Sequence, residues 1–320
     1  MTFRAPIGSS LPRDRAKRLL AGRGRYVDDI VLPRMLHLAF VRSPYPHALI
    51  EAIDVAQAAA MPGVVRIITA VDLDSVVASW RGTHNLFPDM KVPVQTALAT
   101  DVARWQGEAV VAVAANSRAE AEDATEQITI DWKELPAVSE AVAALGPAAP
   151  LLHEAFDDNQ AFAAEVSHGD TETAFADATC VIERQFRFNR HTGVSLEPRG
   201  LIADYDPSSK QLTVYQSHQT PHQQQDLYAR LLGIPEQNVR VICDDVGGAF
   251  GLKHHLYPDE LAACAIAKVL GRPVKYVADR LESFLSDIHC RDHTVKARMA
   301  FNEDGQILAM ALDDLFHAGA

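Results

Sequence analysis

The chain has 320 residues, a hydrophobic fraction of 48% and a formal net charge of −12. That length suits two domains and that apolar content allows sizeable cores, while the acidic balance argues against nucleic acid or an anionic membrane as the main partner. The four cysteines, Cys180, Cys243, Cys264 and Cys290, form no CxxC pair, which argues against an iron–sulfur or structural zinc site and fits a reduced, cytoplasmic chain.

In chain order, the N-terminal stretch has no apolar run of the signal-peptide kind, so no secretory signal is expected. No uncharged apolar run reaches about 18 residues, so no transmembrane helix is expected either. From about Leu19 to Ser139 strand-like and helix-like runs alternate. Met35 to Val41, Val64 to Ile68 and the apolar Ala109 to Ala114 read as strands. Ser117 reads as the N-cap of a helix over Arg118 to Gln127, with Glu120 in its first turn. Ile128 to Trp132 alternates as a further strand. From Ala137 to Asp170 the pattern dissolves into Ala, Gly and Pro, a linker or a segment wrapped over the surface.

The second part holds a quasi-repeat. Leu212 to Ser217 reads as a strand, Thr220-Pro221 as a helix start, and Gly233 as the stop after Leu232. A strand over Asn238 to Cys243 follows, then Val246-Gly247-Gly248-Ala249-Phe250-Gly251-Leu252-Lys253, then a helix from about Tyr257 to Leu270 with its stop at Gly271. Pro273 to Val277 and Ile307 to Leu315 complete the strands. Alternation of this kind points to an α+β, mixed α/β layer architecture, with ligands expected where strand ends meet helix N-termini. Two junctions qualify, Gln219 and Gly247–Gly251.

The glycine loop permits sharp turning and close backbone approach, and at a helix N-terminus it would offer N–H groups to an anion. It lacks the Lys-Ser/Thr of a P-loop and the full GxGxxG spacing, so a tight turn competes with a binding role. Phe250 is unexpected in a turning loop and is read as packing on a ligand or walling a pocket. The Gln219 amide could present a donor and an acceptor to a ligand, or bond its own turn. His289 and His293, four apart, read as a solvated polar segment rather than a metal pair. His254-His255 are read as substrate contacts or an exposed pair, Glu197 and Arg199 as a structural ion pair or pocket floor, and Asp244 and Asp245 as turn ties.

Several stretches together resemble a known family. Gly22-Arg23-Gly24-Arg25-Tyr26-Val27-Asp28-Asp29-Ile30, Arg42-Ser43-Pro44-Tyr45-Pro46-His47-Ala48, Pro62-Gly63-Val64-Val65 and Gln106-Gly107-Glu108-Ala109-Val110-Val111 resemble the a/b hammerhead domain of the molybdenum hydroxylase large subunit. Glu197-Pro198-Arg199-Gly200, Ser217-His218-Gln219-Thr220-Pro221-His222 and Val246 to Gly251 are similar to the opening of its molybdopterin-binding domain. The family is that of xanthine dehydrogenase, aldehyde oxidase and aerobic carbon monoxide dehydrogenase. The resemblance divides the chain into an N-terminal arm (1–18), a hammerhead domain (19–139), a linker (140–170) and the first portion of a molybdopterin-binding domain (171–320).

The resemblance implies hydroxylation of an aldehyde, an N-heterocycle or carbon monoxide with water as oxygen source. The cofactor would be molybdenum–molybdopterin, in its cytosine dinucleotide form, which carries the difficult chemistry. Gln219 matches the glutamine that hydrogen-bonds an oxygen ligand of molybdenum; Gly248, Ala249, Phe250 and Gly251 match the loop lying against the cofactor, with Ala249 replacing a glycine. No side chain here is a direct metal ligand. Phe250 and His254 would face the substrate, and His254 stands where xanthine-oxidising members have a glutamate, which disfavours xanthine. The general-base glutamate and the substrate-loop arginine belong to a later part of the family's large subunit, so no catalytic residue is assigned in this chain. Either a longer polypeptide or a separate C-terminal chain would complete the site, with iron–sulfur and FAD subunits as electron-transfer partners. The alternatives are a non-catalytic interaction module of this family and, more remotely, an unrelated dinucleotide-binding protein.

Overall fold

The computed structural model describes residues 7–319 apart from 11, 14, 15, 83–86 and 88. The first part contains α1 (Ala16–Leu20), β1 (Leu36–Arg42), β2 (Ala48–Asp54), α2 (Ala56–Ala59), β3 (Val64–Ile68), α3 (Ala70–Leu73) and β4 (Val102–Ala103). It continues through β5 (Ala109–Ala115), α4 (Arg118–Thr125), β6 (Thr129–Glu134) and α5 (Ala141–Ala144). The second part contains α6 (Thr171–Ala176), β7 (Cys180–Phe188), β8 (Gly200–Asp206), β9 (Gln211–Gln216), α7 (Pro221–Leu232) and β10 (Val239–Ile242). After these come α8 (Pro258–Leu270), β11 (Val274–Val277), α9 (Arg280–Ser286), β12 (His293–Phe301) and β13 (Ile307–Phe316).

A seven-stranded mixed sheet with order β10-β9-β8-β11-β1-β5-β3 joins the two parts, because β1 pairs in parallel with β11. Every residue of β5 is buried, and its composition of Ala and Val alone allows close cover on both faces. Helix α8 packs on β8 and β11, and its buried run from Leu261 to Ala267 forms part of the main core with Leu201, Ala203, Val274 and Tyr276. The sheet β4-β2-β6 lies apart from it, as does β13-β12-β7.

Local rules set the ends of these elements. Ser117 accepts the Glu120 N–H and caps α4, and Gly233 and Gly271, at φ 62° and 56°, end α7 and α8 in the left-handed conformation that glycine adopts without penalty. The expected quasi-repeat holds only in part. The β9–α7–β10 unit makes parallel neighbours, whereas the crossover through α8 carries the chain past β9 and β8 to β11. The glycine loop also does not feed α8 directly: a 3-10 turn at Leu252–His254 intervenes, and α8 begins at Pro258. A helix-dipole cradle for phosphate at this loop is therefore corrected, since the long helix starts seven residues beyond Gly251.

Strands β2, β7, β8 and β12 were not marked by the sequence pattern. In β12 the apolar residues alternate with Lys296 and Arg298, in β7 Arg184 interrupts the face of Ile182 and Phe186, and the polar stretch before β12 hides the strand start at His293. On one face of the β13-β12-β7 sheet the register sets Ile182, Met299 and Met310 in one row and Arg184, Ala297 and Leu312 in the next. Phe186, Val295 and Asp314 follow, then Phe188, His293 and Phe316. Ile182, Phe186, Phe188, Met310 and Leu312 on that face are 44–58% exposed. No helix among the described residues is long and apolar enough to cross a membrane.

Candidate functional site

The two junctions singled out in the sequence meet. The Gln219 N–H donates to the Lys253 carbonyl at 2.8 Å, and the Gly251 N–H donates to Gln219 Oε1 at 3.1 Å. An N–H can be accepted only by the amide oxygen, so the second bond fixes which end of the amide faces the loop. Gln219 Nε2 is left pointing away, with no hydrogen bond to a described residue, on an exposed side chain. The junction thus presents a neutral donor outward.

Beneath the loop lies Glu197. Its Oε2 accepts the Gly247 N–H at 2.7 Å and the Ser217 hydroxyl at 2.5 Å, and its backbone N–H donates to the Gly247 carbonyl at 3.2 Å. A Cβ on Gly247 would stand 2.5 Å from the Glu197 Cβ, so glycine is required there by contact. Gly251 needs glycine for a different reason: at φ +92° its surroundings are open, but L side chains rarely adopt that backbone. Phe250 has φ 52° and a ring 77% exposed. A bulky residue in the left-handed region with its ring in solvent is an outlier of the kind found at ligand sites.

A fully buried charged layer supports the site. Arg199 chelates Asp259 (2.9 and 3.0 Å), donates to Asp287 (2.5 Å), Glu260 (3.2 Å) and Ser286 (2.9 Å), and stacks at 3.6 Å on the Tyr257 ring. Arg42 of β1 donates to the same Asp259 at 2.7 Å. Burial opposes the Asp259 charge, yet Arg199 and Arg42 hold its carboxyl well below the usual carboxylate range. Burial, reinforced by Asp259, pushes the Glu260 carboxyl up to about 8 in spite of Arg199. His218, next to Gln219, is 3% exposed, and burial pushes its ring down to about 4. Its Nδ1 accepts the Thr220 N–H at 3.1 Å, so the neutral ring carries its proton on Nε2, 3.1 Å from the His255 carbonyl.

Glu197 and Arg199 do not pair with each other, as an ion pair between them would require; each ties the loop region to a different partner set. Asp245 acts as a tie over a long distance, accepting from the Arg18 side chain at 2.5 Å and the Arg25 N–H at 2.8 Å. It holds the N-terminal segment beside the loop. His254 closes the 3-10 turn, exposed, its ring edge-on to His255 at 5.7 Å. His293 is the first residue of β12, not part of a loop, and bonds Asp314 at 2.9 Å. Among the described residues no group of three or more His, Cys, Asp or Glu could hold a metal ion. Two functional neighbours were missed in the sequence, Ser217 and Lys253. Both stood inside quoted motifs, but hydropathy patterning treats a lysine as surface, and this one is 0% exposed.

Comparison with known proteins places this geometry in context. Residues 21–136 match the model of the aldehyde oxidase and xanthine dehydrogenase a/b hammerhead domain, and residues 152–320 that of the molybdopterin cofactor-binding domain. The chain is 35% identical to the carbon monoxide dehydrogenase large chain of Hydrogenophaga pseudoflava, over 97% of this chain and 40% of that one. It is also 35% identical to the nicotine 6-hydroxylase large subunit of Paenarthrobacter nicotinovorans, over 98% and 38%. The fold superposes on quinoline 2-oxidoreductase of Pseudomonas putida 86 with a TM-score of 0.92 and 37% identity, covering 96% of this chain and 39% of the other. The chain spans about 40% of the length of the curated relatives it matches.

Proposed function

The chain belongs to the xanthine dehydrogenase, aldehyde oxidase and carbon monoxide dehydrogenase family, and we propose from that premise that it supplies one wall of a molybdenum–molybdopterin site in a hydroxylase. The observation that carries this reading is the outward Nε2 of Gln219, fixed as a donor by the Gly251 N–H. A molybdenum centre presents oxygen ligands, which accept hydrogen bonds, and a neutral donor on an ordered loop suits one of them. Beside it, the backbone of Gly248 to Gly251 runs without large side chains except Phe250, which lets a flat organic group approach closely. The residues present therefore fit the cofactor.

Bound there, molybdopterin-held molybdenum would supply two-electron oxidation and activation of water for attack on an electron-poor carbon. The chain's own residues orient and shield. Gln219 would hold an oxygen ligand by its Nε2, the glycine loop would lie against the cofactor, and the Phe250 ring would bound the substrate side, with His254 nearby. The neutral His218, bonded to Thr220 and His255, fixes the turn carrying Gln219 without adding charge beside it. No glutamate in this wall is placed as the general base, so that group would come from a completing polypeptide. The apolar face of the β13-β12-β7 sheet supports such a partner, because an uncovered apolar surface of this kind marks an association site and the relatives are about two and a half times as long (from the 40% coverage).

Electrons would leave through iron–sulfur and FAD partners, as the substrate class of aldehyde, N-heterocycle or carbon monoxide requires a two-electron acceptor. The test is to purify the chain together with the polypeptide that completes the large subunit and to measure molybdenum and pterin. A roughly stoichiometric content that falls in Gln219→Ala supports the reading. An assembled complex free of both would leave the non-catalytic interaction module as the better description.

A further inference from the structure

Three separate chain segments converge on one buried ammonium. Lys253 Nζ, 0% exposed, donates to the Glu197 carbonyl at 2.8 Å, to Glu197 Oε2 at 3.2 Å and to the Ser217 hydroxyl at 2.8 Å. That uses its three protons. The same residue's backbone carbonyl accepts the Gln219 N–H at 2.8 Å, while Glu197 Oε2 accepts the Gly247 N–H at 2.7 Å. One lysine therefore bonds the Gln219 turn directly and the start of the glycine loop through a carboxylate.

Burying an ammonium is costly unless every proton is satisfied and a counter-charge is present. Burial indeed pulls the Lys253 amine below the usual lysine range against the attraction of Glu197. A residue serving only to fill the core would be apolar. The compact ammonium reaches a carbonyl on one side and the mutually bonded Glu197 carboxylate and Ser217 hydroxyl on the other, and a methionine can make none of these bonds.

We propose that Lys253 is a positioning residue, which with Glu197 and Ser217 fixes the spacing between Gln219 and the Gly247–Gly251 backbone before any ligand arrives. The proposal rests on the cofactor-wall reading for its purpose, but the pin itself is a property of the chain alone. Pre-set geometry of this kind removes the cost of ordering two loops on binding.

The test is amide hydrogen exchange by NMR on the full chain without cofactor, comparing wild type, Lys253→Met and Ser217→Ala. The amides of Gln219, Gly247 and Gly251 are expected to exchange ~30-fold faster in Lys253→Met, as loss of charge-assisted bonds lets these loops open locally. Amides of β8, β9 and α8 should stay within about 3-fold of wild type. Unchanged exchange at the three loop amides would overturn the proposal. So would equal acceleration across β8, β9 and α8, which is the signature of a core residue and not of a positioning one. Should Lys253→Met fail to fold, Ser217→Ala decides: acceleration of about 5-fold confined to the same amides is expected, and none would overturn it. Failure of the cofactor reading would show separately, as wild-type complex without molybdenum and with this exchange pattern intact.

Discussion

Arg199→Met is the perturbation whose cost can be worked most fully from the structure. The guanidinium makes five hydrogen bonds, to Asp259 twice and to Asp287, Glu260 and Ser286, and is 0% exposed. Methionine keeps the apolar stem but carries no charge and loses the guanidinium that stacks on Tyr257. Asp259 retains Arg42 as a partner, whereas the Asp287 carboxylate, 4% exposed, has only Arg199 as its ion-pair partner among the described residues. Breaking a buried pair in this way costs about 3–5 kcal/mol, chiefly because the abandoned charge stays buried. Urea denaturation followed by tryptophan fluorescence at pH 7 should report a loss in that range. Asp287→Asn in the Arg199→Met background should recover more than about 1 kcal/mol, because it removes the orphaned charge. A single variant within about 1 kcal/mol of wild type, or strict additivity of the two changes, would refute the reasoning.

Other outcomes follow from the same contacts. Gly247→Ala drives a methyl into Glu197 and should lower molybdenum content of the assembled complex by ~10-fold or more, read by elemental analysis, as the loop anchor is lost. Gly251→Ala meets no neighbour in the chain and only a strained φ, so it should cost about 1–2 kcal/mol in urea denaturation. His218 binds its proton more weakly folded than unfolded, since burial lowers it to about 4. Its contribution is full above pH 6.5 and is lost as pH falls toward 4, about 3 kcal/mol in all; His218→Gln should flatten that part of the stability–pH curve, and an unchanged slope would contradict the assignment. Phe186→Asp with Leu312→Asp, both on the exposed face of the β13-β12-β7 sheet, should weaken association with the completing polypeptide by ~100-fold in a pull-down titration while leaving the seven-stranded core intact.

Much of this could be read in the sequence because it is local. The β5 run, the Ser117 cap and the Gly233 and Gly271 stops each follow from a few adjacent residues, and the structure has them within a residue or two of the expected positions. Among the strands missed, β7 and β12 pair with each other across more than a hundred residues; β7 breaks its alternation by setting Arg184 on the face of Ile182 and Phe186, and the alternation of β12 is short and follows a polar stretch. The same limit applies to the site. Gln219 and the glycine loop are visible as motifs, but their bond to each other spans 32 residues. Lys253, Glu197 and Arg199 are charged residues whose burial depends on partners 36 to 88 positions away. Charge patterning assigns such residues to the surface, and only the assembled fold shows that their partners surround them.

The most direct test of the central claim is the molybdenum EPR spectrum of the reduced, completed complex, compared between wild type and Gln219→Glu. This change keeps an oxygen to accept the Gly251 N–H and replaces the outward donor with an ionised carboxylate oxygen that can only accept. A metal content close to wild type with shifted g-values is predicted, because an oxygen ligand of the metal loses its hydrogen bond. A superimposable spectrum at equal metal content would mean that the cofactor does not meet Gln219, and that the wall described by the glycine loop faces something else.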